Sequence, residues 1–250
     1  VAAHGFPAPR IVGAILLCMV FARTAAMAFN RLADWEIDQK NPRTEGRHRL
    51  VPKPVAVALC LASAAAFVAT TWFLNPLCFW LSPLALAIVF FYSLTKRFTS
   101  WSHLFLGVAL AVSPVGAWLA VRGHFDFAPL ILAAAVALWV TGFDLIYATQ
   151  DFEFDRKMGL HSWVAAHGIP QSLRLAQGLH WAMLALLAGF GYAAGLGAVY
   201  HGSLALVAGA LVYEHRSAAA LDLAGINRAF FWSNAFVGAV FVAAVAASVF

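Results

Sequence analysis

The stretch APLILAAAVALWVTGFDLIYATQDFEFDRKMGLHS, residues 128–162, decides the fold. From Ala128 to Gln150 its one charged residue is Asp144. A helix needs about 20 apolar residues to cross the hydrocarbon core of a bilayer, and this run supplies them. Charge then arrives all at once, with Asp151, Glu153, Asp155, Arg156 and Lys157 in close succession. An apolar helix that ends in crowded charge is a span meeting one membrane surface. Strands of a membrane barrel would alternate apolar and polar residues over about ten positions, and this run does not.

Outward from this segment the pattern repeats. Apolar runs lie near 11–37, 53–74, 76–94, 101–121, 128–150, 172–194, 197–214 and 229–250. The expected fold is therefore all-α: a polytopic transmembrane bundle of about eight spans, forming a single domain over residues 1–250. Composition agrees. The chain is 63% hydrophobic and 11% charged, against about 45–50% and 25% for soluble domains. That excludes an ordinary soluble enzyme, a disordered chain and a secreted disulfide scaffold. Asn75-Pro76 and the Gly195–Gly202 region mark turns. Cys18, Cys60 and Cys78 are dispersed in apolar runs, which argues for small buried side chains and against a disulfide framework or a zinc site. The nine histidines show no metal-ligand spacing and read as loop or interface residues, with His161 close enough to the charged segment to touch it. The chain opens on Val1 without a signal-peptide pattern and reads as a fragment or a processed chain.

Threading eight spans back and forth places 13 of the 16 Lys and Arg residues on one side. The positive-inside rule makes that side cytoplasmic. Ten of the eleven Asp and Glu residues lie there too, Asp126 being the exception. The rule does not account for them, because carboxylates contribute little to topology. Something on that face needs acids and cations together.

Two acidic columns stand out. Asn30, Asp34 and Asp38 recur every four residues at the end of the first span. Each such step drifts only about 40° around a helix, so one face presents an amide and two carboxylates. Asp144, Tyr147, Asp151 and Asp155 share a face at the end of the fifth span. Carboxylates near a membrane are expensive and mark function by default. Facing each other, they would repel unless cations sat between them. Hard oxygen ligands at span ends suit Mg²⁺, which keeps waters and is often completed by substrate phosphates. Arg43, Arg47, Lys96, Arg97, Arg156 and Lys157 stand next to these columns and suit a diphosphate, with Arg forking onto phosphate and Lys supplying a compact charge.

This combination resembles the UbiA superfamily of intramembrane aromatic prenyltransferases. Asn30-x₃-Asp34-x₃-Asp38 is similar to its first acidic motif, and Asp151-x₃-Asp155, with Asp144, Tyr147, Gly159 and Ser162, to its second. Tyr92-x₃-Lys96 resembles its YxxxK element, the loop Asn41 to Arg47 (NPRTEGR) follows the first motif, and INRAFFWSN resembles the start of its last span. The runs ARTAAMAFNRLADWEID, YSLTKRFT and GFDLIYATQDFEFDRKMGLHS resemble the 4-hydroxybenzoate polyprenyltransferase-like branch, which also includes menaquinone enzymes that use a dihydroxynaphthoate. Family members usually have nine spans, with the first acidic motif ending the second. Here it ends the first, so the resemblance implies an N-terminal truncation.

The resemblance implies Mg²⁺-dependent transfer of a polyprenyl group from an allylic diphosphate to a ring carbon of an aromatic acid. Asn30, Asp34, Asp38, Asp151 and Asp155 would hold metal and diphosphate. Arg43, Arg47, Lys96 and Lys157 would balance the leaving charge. Tyr92 and Tyr147 would face the cation, Arg97 the acid substituent of the ring, and Asp144 would complete the site. The implied partners are a polyprenyl diphosphate, an aromatic acid and the lipid bilayer, with no nucleic acid, and the implied location is a bacterial inner membrane. Two other classes compete. A CDP-alcohol phosphotransferase would need a DxxDGxxAR pattern, which is missing. A transporter would place its ionisable groups near mid-membrane rather than at one face.

Overall fold

A computed structural model describes residues 1–3, 5–219 and 223–250, leaving the side chains of 47, 48, 223, 224, 228 and 229 outside the description. The described residues form helices and no strands: α1 (Pro9–Ala33), α2 (Trp35–Asp38), α3 (Arg47–Leu50), α4 (Lys53–Trp72), α5 (Pro76–Thr95), α6 (Ser102–Arg122), α7 (Ala128–Ala148), a 3₁₀ turn (Thr149–Asp151), α8 (Phe152–Met158), α9 (Trp163–His167), α10 (Ile169–Ala193), α11 (Ala198–Ala219) and α12 (Leu223–Val249). Eight are long, and they stand where the eight apolar runs predict them. Seven of the eight stretches are long and apolar enough to cross a membrane; α11 is the one that is not. It carries Glu214, His215 and Arg216 near its C-terminal end and runs five residues past the expected span.

The turns are made by the residues the sequence singles out. Asn75 caps α5, its side chain accepting from the Cys78 amide at 2.9 Å, while Pro76 opens the helix without needing a donor. Gly195 takes φ +67° after α10, a backbone conformation that side chains disfavour. All three cysteines are free and buried. Large apolar side chains face outward along the spans, among them Trp80 at 76% and Leu61 at 67% exposure. Lipid is their solvent.

α7 packs between α6 and α10, α11 pairs with α12, and α1 pairs with α4. A dense core of Ala135, Met183, Leu187, Val207, Leu211 and Val237 fills the α7–α10–α11–α12 side. The other side is hollow: an apolar cavity of about 450 Å³ lies among α1, α4, α5 and α6. The α6–α7 crossing depends on Gly107. A Cβ there would meet the Ala137 carbonyl oxygen and the Thr141 hydroxyl, so the helices approach backbone to backbone. Gly107→Ala is expected to lower stability by about 1–3 kcal/mol through overpacking. A thermal melt in detergent should show a drop of several degrees, against no drop for Gly116→Ala, where the added carbon meets nothing.

Candidate active site

α1, α5 and α7 end on one side of the bundle, and α6 begins there. The contacts joining these ends define the site. The Lys96 carbonyl accepts from the His161 amide at 3.0 Å, tying the end of α5 to the loop after α8. Arg97 donates to the Ala33 carbonyl, so this candidate ring-binding cation closes the end of α1.

The first acidic column is bent rather than straight. Asp34 has φ −95° and ψ 8°, which separates α1 from α2. The amides of Asp34 and Asp38 still bond four residues back, at 2.9 and 2.8 Å, so the three side chains stay stacked. Asn30 Nδ2 reaches Asp34 Oδ2 at 3.3 Å and Ser93 Oγ at 3.4 Å. Lys96 Nζ donates to the same Asp34 oxygen at 2.6 Å. Asp34 is 4% exposed, and its Oδ1 is buried with no partner among the described residues. Burial pushes this carboxyl above the usual Asp range, with Lys96 pulling the other way.

The second column bends too, because the 3₁₀ turn Thr149–Asp151 interrupts it between Tyr147 and Asp155. Asp151 is gripped by Arg43 through two bonds, one from Nε to Oδ1 at 2.9 Å and one from Nη2 to Oδ2. Asn41 Nδ2 adds a third at 3.1 Å. The Arg43 guanidinium also donates to the Tyr147 hydroxyl at 3.2 Å and lies 5.4 Å from that ring's centre. Burial works against the Arg43 charge, but the Asp151 carboxylate outweighs it and holds the guanidinium above its ordinary value. Gly159, at φ +65°, ends α8 and turns the chain back toward Ser162, which caps α9.

The structure thus brings two opposed acidic columns together through cations borrowed crosswise. Lys96 of α5 holds the first, and Arg43, which follows the first, holds the second. Tyr92 lies within electrostatic reach of both Asp34 and Asp144. Asp155 lies within reach of Lys96 and His103. Asp38 is within reach of Arg43 and Asp34. Lys157 is exposed and contacts no acid-motif side chain among the described residues. The Arg47 side chain lies outside the described residues. No three acids, histidines or cysteines among the described residues converge into a ready-made metal cage.

Two contributors go beyond the residues singled out from sequence. Asn41 sits in the NPRTEGR loop and serves as a strut: its Oδ1 accepts from the Arg43 amide at 2.9 Å while its Nδ2 holds Asp151. His103, the second residue of α6, is buried, and its Nδ1 lies 2.6 Å from Asp144 Oδ2. The expectation of histidines in loops and interfaces fails for His103 and for His180, both inside the bundle. Periodicity on one helix says nothing about what a neighbouring helix offers at the same height.

Comparisons with known proteins bear on the family and the fold. The chain is 32% identical over 244 residues to a 4-hydroxybenzoate octaprenyltransferase of Nitrosococcus oceani, an alignment covering 96% of this chain and 85% of that one. It superimposes on the apo structure of a UbiA homolog from Aeropyrum pernix K1 with a TM-score of 0.90 and 32% identity, covering 100% of this chain and 93% of the other. A UbiA homolog from Archaeoglobus fulgidus bound to GPP and Mg²⁺ shares the fold at a TM-score of 0.70 and 19% identity, covering 96% and 89%. With the UbiA prenyltransferase family model matching residues 1–235 as well, the chain belongs to that family and is a prenyltransferase enzyme integral to the membrane.

Proposed function

We propose that the protein moves a polyprenyl group from an allylic diphosphate to a ring carbon of an aromatic acid resembling 4-hydroxybenzoate, as a step of quinone biosynthesis. The observation that carries this reading is the pairing of a charged face with an apolar hollow on the same helices. The cavity begins close to the acidic columns. Val89 is one turn from Tyr92 on α5, and Val108 is five residues from His103 on α6. It then continues toward Ile15, Leu74 and Phe125 near the opposite ends of the helices. A diphosphate head on a long hydrocarbon tail has this division of polarity. The names of the curated relatives supply the aromatic acid, and the A. fulgidus homolog bound to GPP and Mg²⁺ supports the donor and the metal.

The donor set fits Mg²⁺. Asp34 Oδ1 is a buried, unpartnered hard oxygen, and Asn30, Asp38, Asp151 and Asp155 add oxygens of the same kind. Separated carboxylates suit an ion that takes one or two protein ligands and completes its shell with water and substrate phosphate. When bound, Mg²⁺ stabilises negative charge on the diphosphate. Arg43 and Lys96, which pair with Asp151 and Asp34, would then have the diphosphate as a second anion to serve. The allylic C–O bond breaks with its electron pair going to the diphosphate. The rings of Tyr147 and Tyr92 offer their faces to the allylic cation. The aromatic acceptor attacks that carbon and loses its ring proton. Arg97 would pair with the acidic ring substituent, exchanging the Ala33 carbonyl for it. The positive-inside pattern supports a site opening to the cytoplasm of a bacterial inner membrane.

The test is a product assay on purified protein with Mg²⁺, a polyprenyl diphosphate and a panel of 4-hydroxybenzoate and dihydroxynaphthoates. C-prenylated 4-hydroxybenzoate, formed only with the metal present, is the expected result. Product from a dihydroxynaphthoate alone would reassign the acceptor to the menaquinone class, and metal-independent transfer would overturn the Mg²⁺ assignment. The cavity makes its own prediction. Ala109 lines it and is 4% exposed. Ala109→Phe is expected to lower kcat/KM for an octaprenyl donor about tenfold more than for GPP, since each buried CH₂ displaced forfeits about 0.8 kcal/mol.

A further inference from the structure

A second cavity, of about 430 Å³, opens between α10 and α11, and none of its lining residues belongs to the acidic motifs. Its lining is unusual for a gap between membrane helices: Arg174, Gln177, His180, His215 and Arg216 stand among Leu173, Trp181, Leu211 and Val212. Arg174 is near the start of α10 and Arg216 is in the last turn of α11, so both lie at the charge-rich end of the bundle. Among the described residues no carboxylate pairs with either guanidinium; Arg174 makes only a weak 3.4 Å contact with the Pro170 carbonyl.

Behind the cavity wall lies a buried polar relay. Trp139 O can only accept, so His180 Nε2, 3.3 Å away, carries the proton of that contact. His180 Nδ1 is then the acceptor in its 2.9 Å bond with His215, and His215 Nε2 donates. That leaves His215 Nδ1 as the free ring nitrogen of the pair. Glu214, at 0% exposure, has Oε2 3.8 Å from His180 Nδ1 and neither oxygen hydrogen-bonded among the described residues. An unpaired buried acid is costly. The same polar residues weaken α11 as a membrane helix, so the chain gives up apolar character along this seam.

From this geometry we infer that the α10–α11 cavity is a second binding site, for a phosphate-bearing group, with Arg174 and Arg216 as its donors. Basic pockets between membrane helices on the cytoplasmic side take anionic lipid headgroups. The apolar walls and the half-exposed Trp181 suit a headgroup whose chains remain in the bilayer. A free phosphate ion shares the same chemistry, and the experiment separates the two sources.

Purified protein in a neutral detergent is offered phosphatidylglycerol, diacylglycerol with the same chains, or inorganic phosphate, and bound species are counted by native mass spectrometry. Wild type should retain phosphatidylglycerol at least about fivefold better than diacylglycerol. The Arg174→Gln/Arg216→Gln double variant should lose that preference. Thermal melts provide the phosphate arm: a phosphate-dependent rise in wild type that the double variant lacks, with no lipid preference, supports the site and assigns it to the free ion. Equal retention of both lipids with no effect of phosphate overturns the inference, as does an unchanged phosphatidylglycerol preference in the double variant. Should the double variant not fold, the wild-type comparison of the two lipids and phosphate still decides.

Discussion

Asp34→Asn is expected to lower kcat/KM for prenyl transfer by about 10³-fold, equivalent to about 4 kcal/mol of transition-state stabilisation. Asp151→Asn is expected to do the same. Asparagine keeps the shape and one acceptor oxygen but removes the charge. At Asp34 this matters twice. On the proposed reading the buried Oδ1, unpartnered among the described residues, would take the cation, and Oδ2 fixes Lys96 at 2.6 Å. The variant keeps a carbonyl oxygen for the lysine while losing its affinity for Mg²⁺, so steady-state kinetics against Mg²⁺ concentration should show a raised metal requirement as well as a lower maximum. Retained transfer in both variants would show that the diphosphate binds elsewhere.

The environment of Asp34 adds a pH signature. Burial raises its pKa above the usual Asp range, and the carboxyl must be ionised to take a cation. Apparent Mg²⁺ affinity should therefore fall at a higher pH on the acid side than an ordinary Asp would set. Lys96 opposes that rise, so Lys96→Met should move the acid limb further up, whereas a lysine that served only diphosphate binding would leave it in place. A pH profile of kcat/KM for the two proteins distinguishes these outcomes.

The architecture was legible because it depends on quantities that a linear sequence carries. A run such as 128–150 is long enough and apolar enough to cross a bilayer whatever surrounds it. The four-residue recurrence of Asn30, Asp34 and Asp38 survives even the local break at Asp34, because the backbone bonds bridge the break. What escaped the sequence is relational. Whether His103 meets Asp144 depends on the rotation of α6 against α7, which Gly107 permits by letting the backbones close. Asn41 becomes a strut only once the loop folds over Asp151 from more than a hundred residues away. The 3₁₀ turn at Thr149–Asp151 shifts Asp155 away from a uniform helical column, and no propensity at those positions announces it. In α11, apolar residues dominate the composition, yet the polar ones are placed by the cavity they line.

Arg43→Lys is expected to lower kcat/KM about as far as Arg43→Ala, on the order of 10²-fold, within the range for loss of one preorganised charge donor. The expectation rests on geometry rather than charge. Arg43 uses Nε and Nη2 on the two oxygens of Asp151 and Nη1 on the Tyr147 hydroxyl, all from one planar group. A lysine retains the positive charge but offers a single point in place of that fork. The loss frees Asp151 against Asp155 and loosens the Tyr147 ring, which is otherwise held between Arg43 and Phe230 at 4.7 Å. On the proposed reading it also removes the guanidinium that would turn from Asp151 to the diphosphate. The two roles separate kinetically. If Arg43 acts on the leaving group, the defect should fall mainly on kcat with donor at saturation. If it only braces Asp151, the defect should appear as a raised requirement for Mg²⁺ and shrink when the metal is abundant. Asn41→Ala provides the control, since it removes a brace on Asp151 and on the Arg43 amide without removing a charge. It should show the second pattern alone, with a loss of about tenfold or less, and a kcat defect in Asn41→Ala as deep as that of Arg43→Ala would refute the direct role given to the arginine.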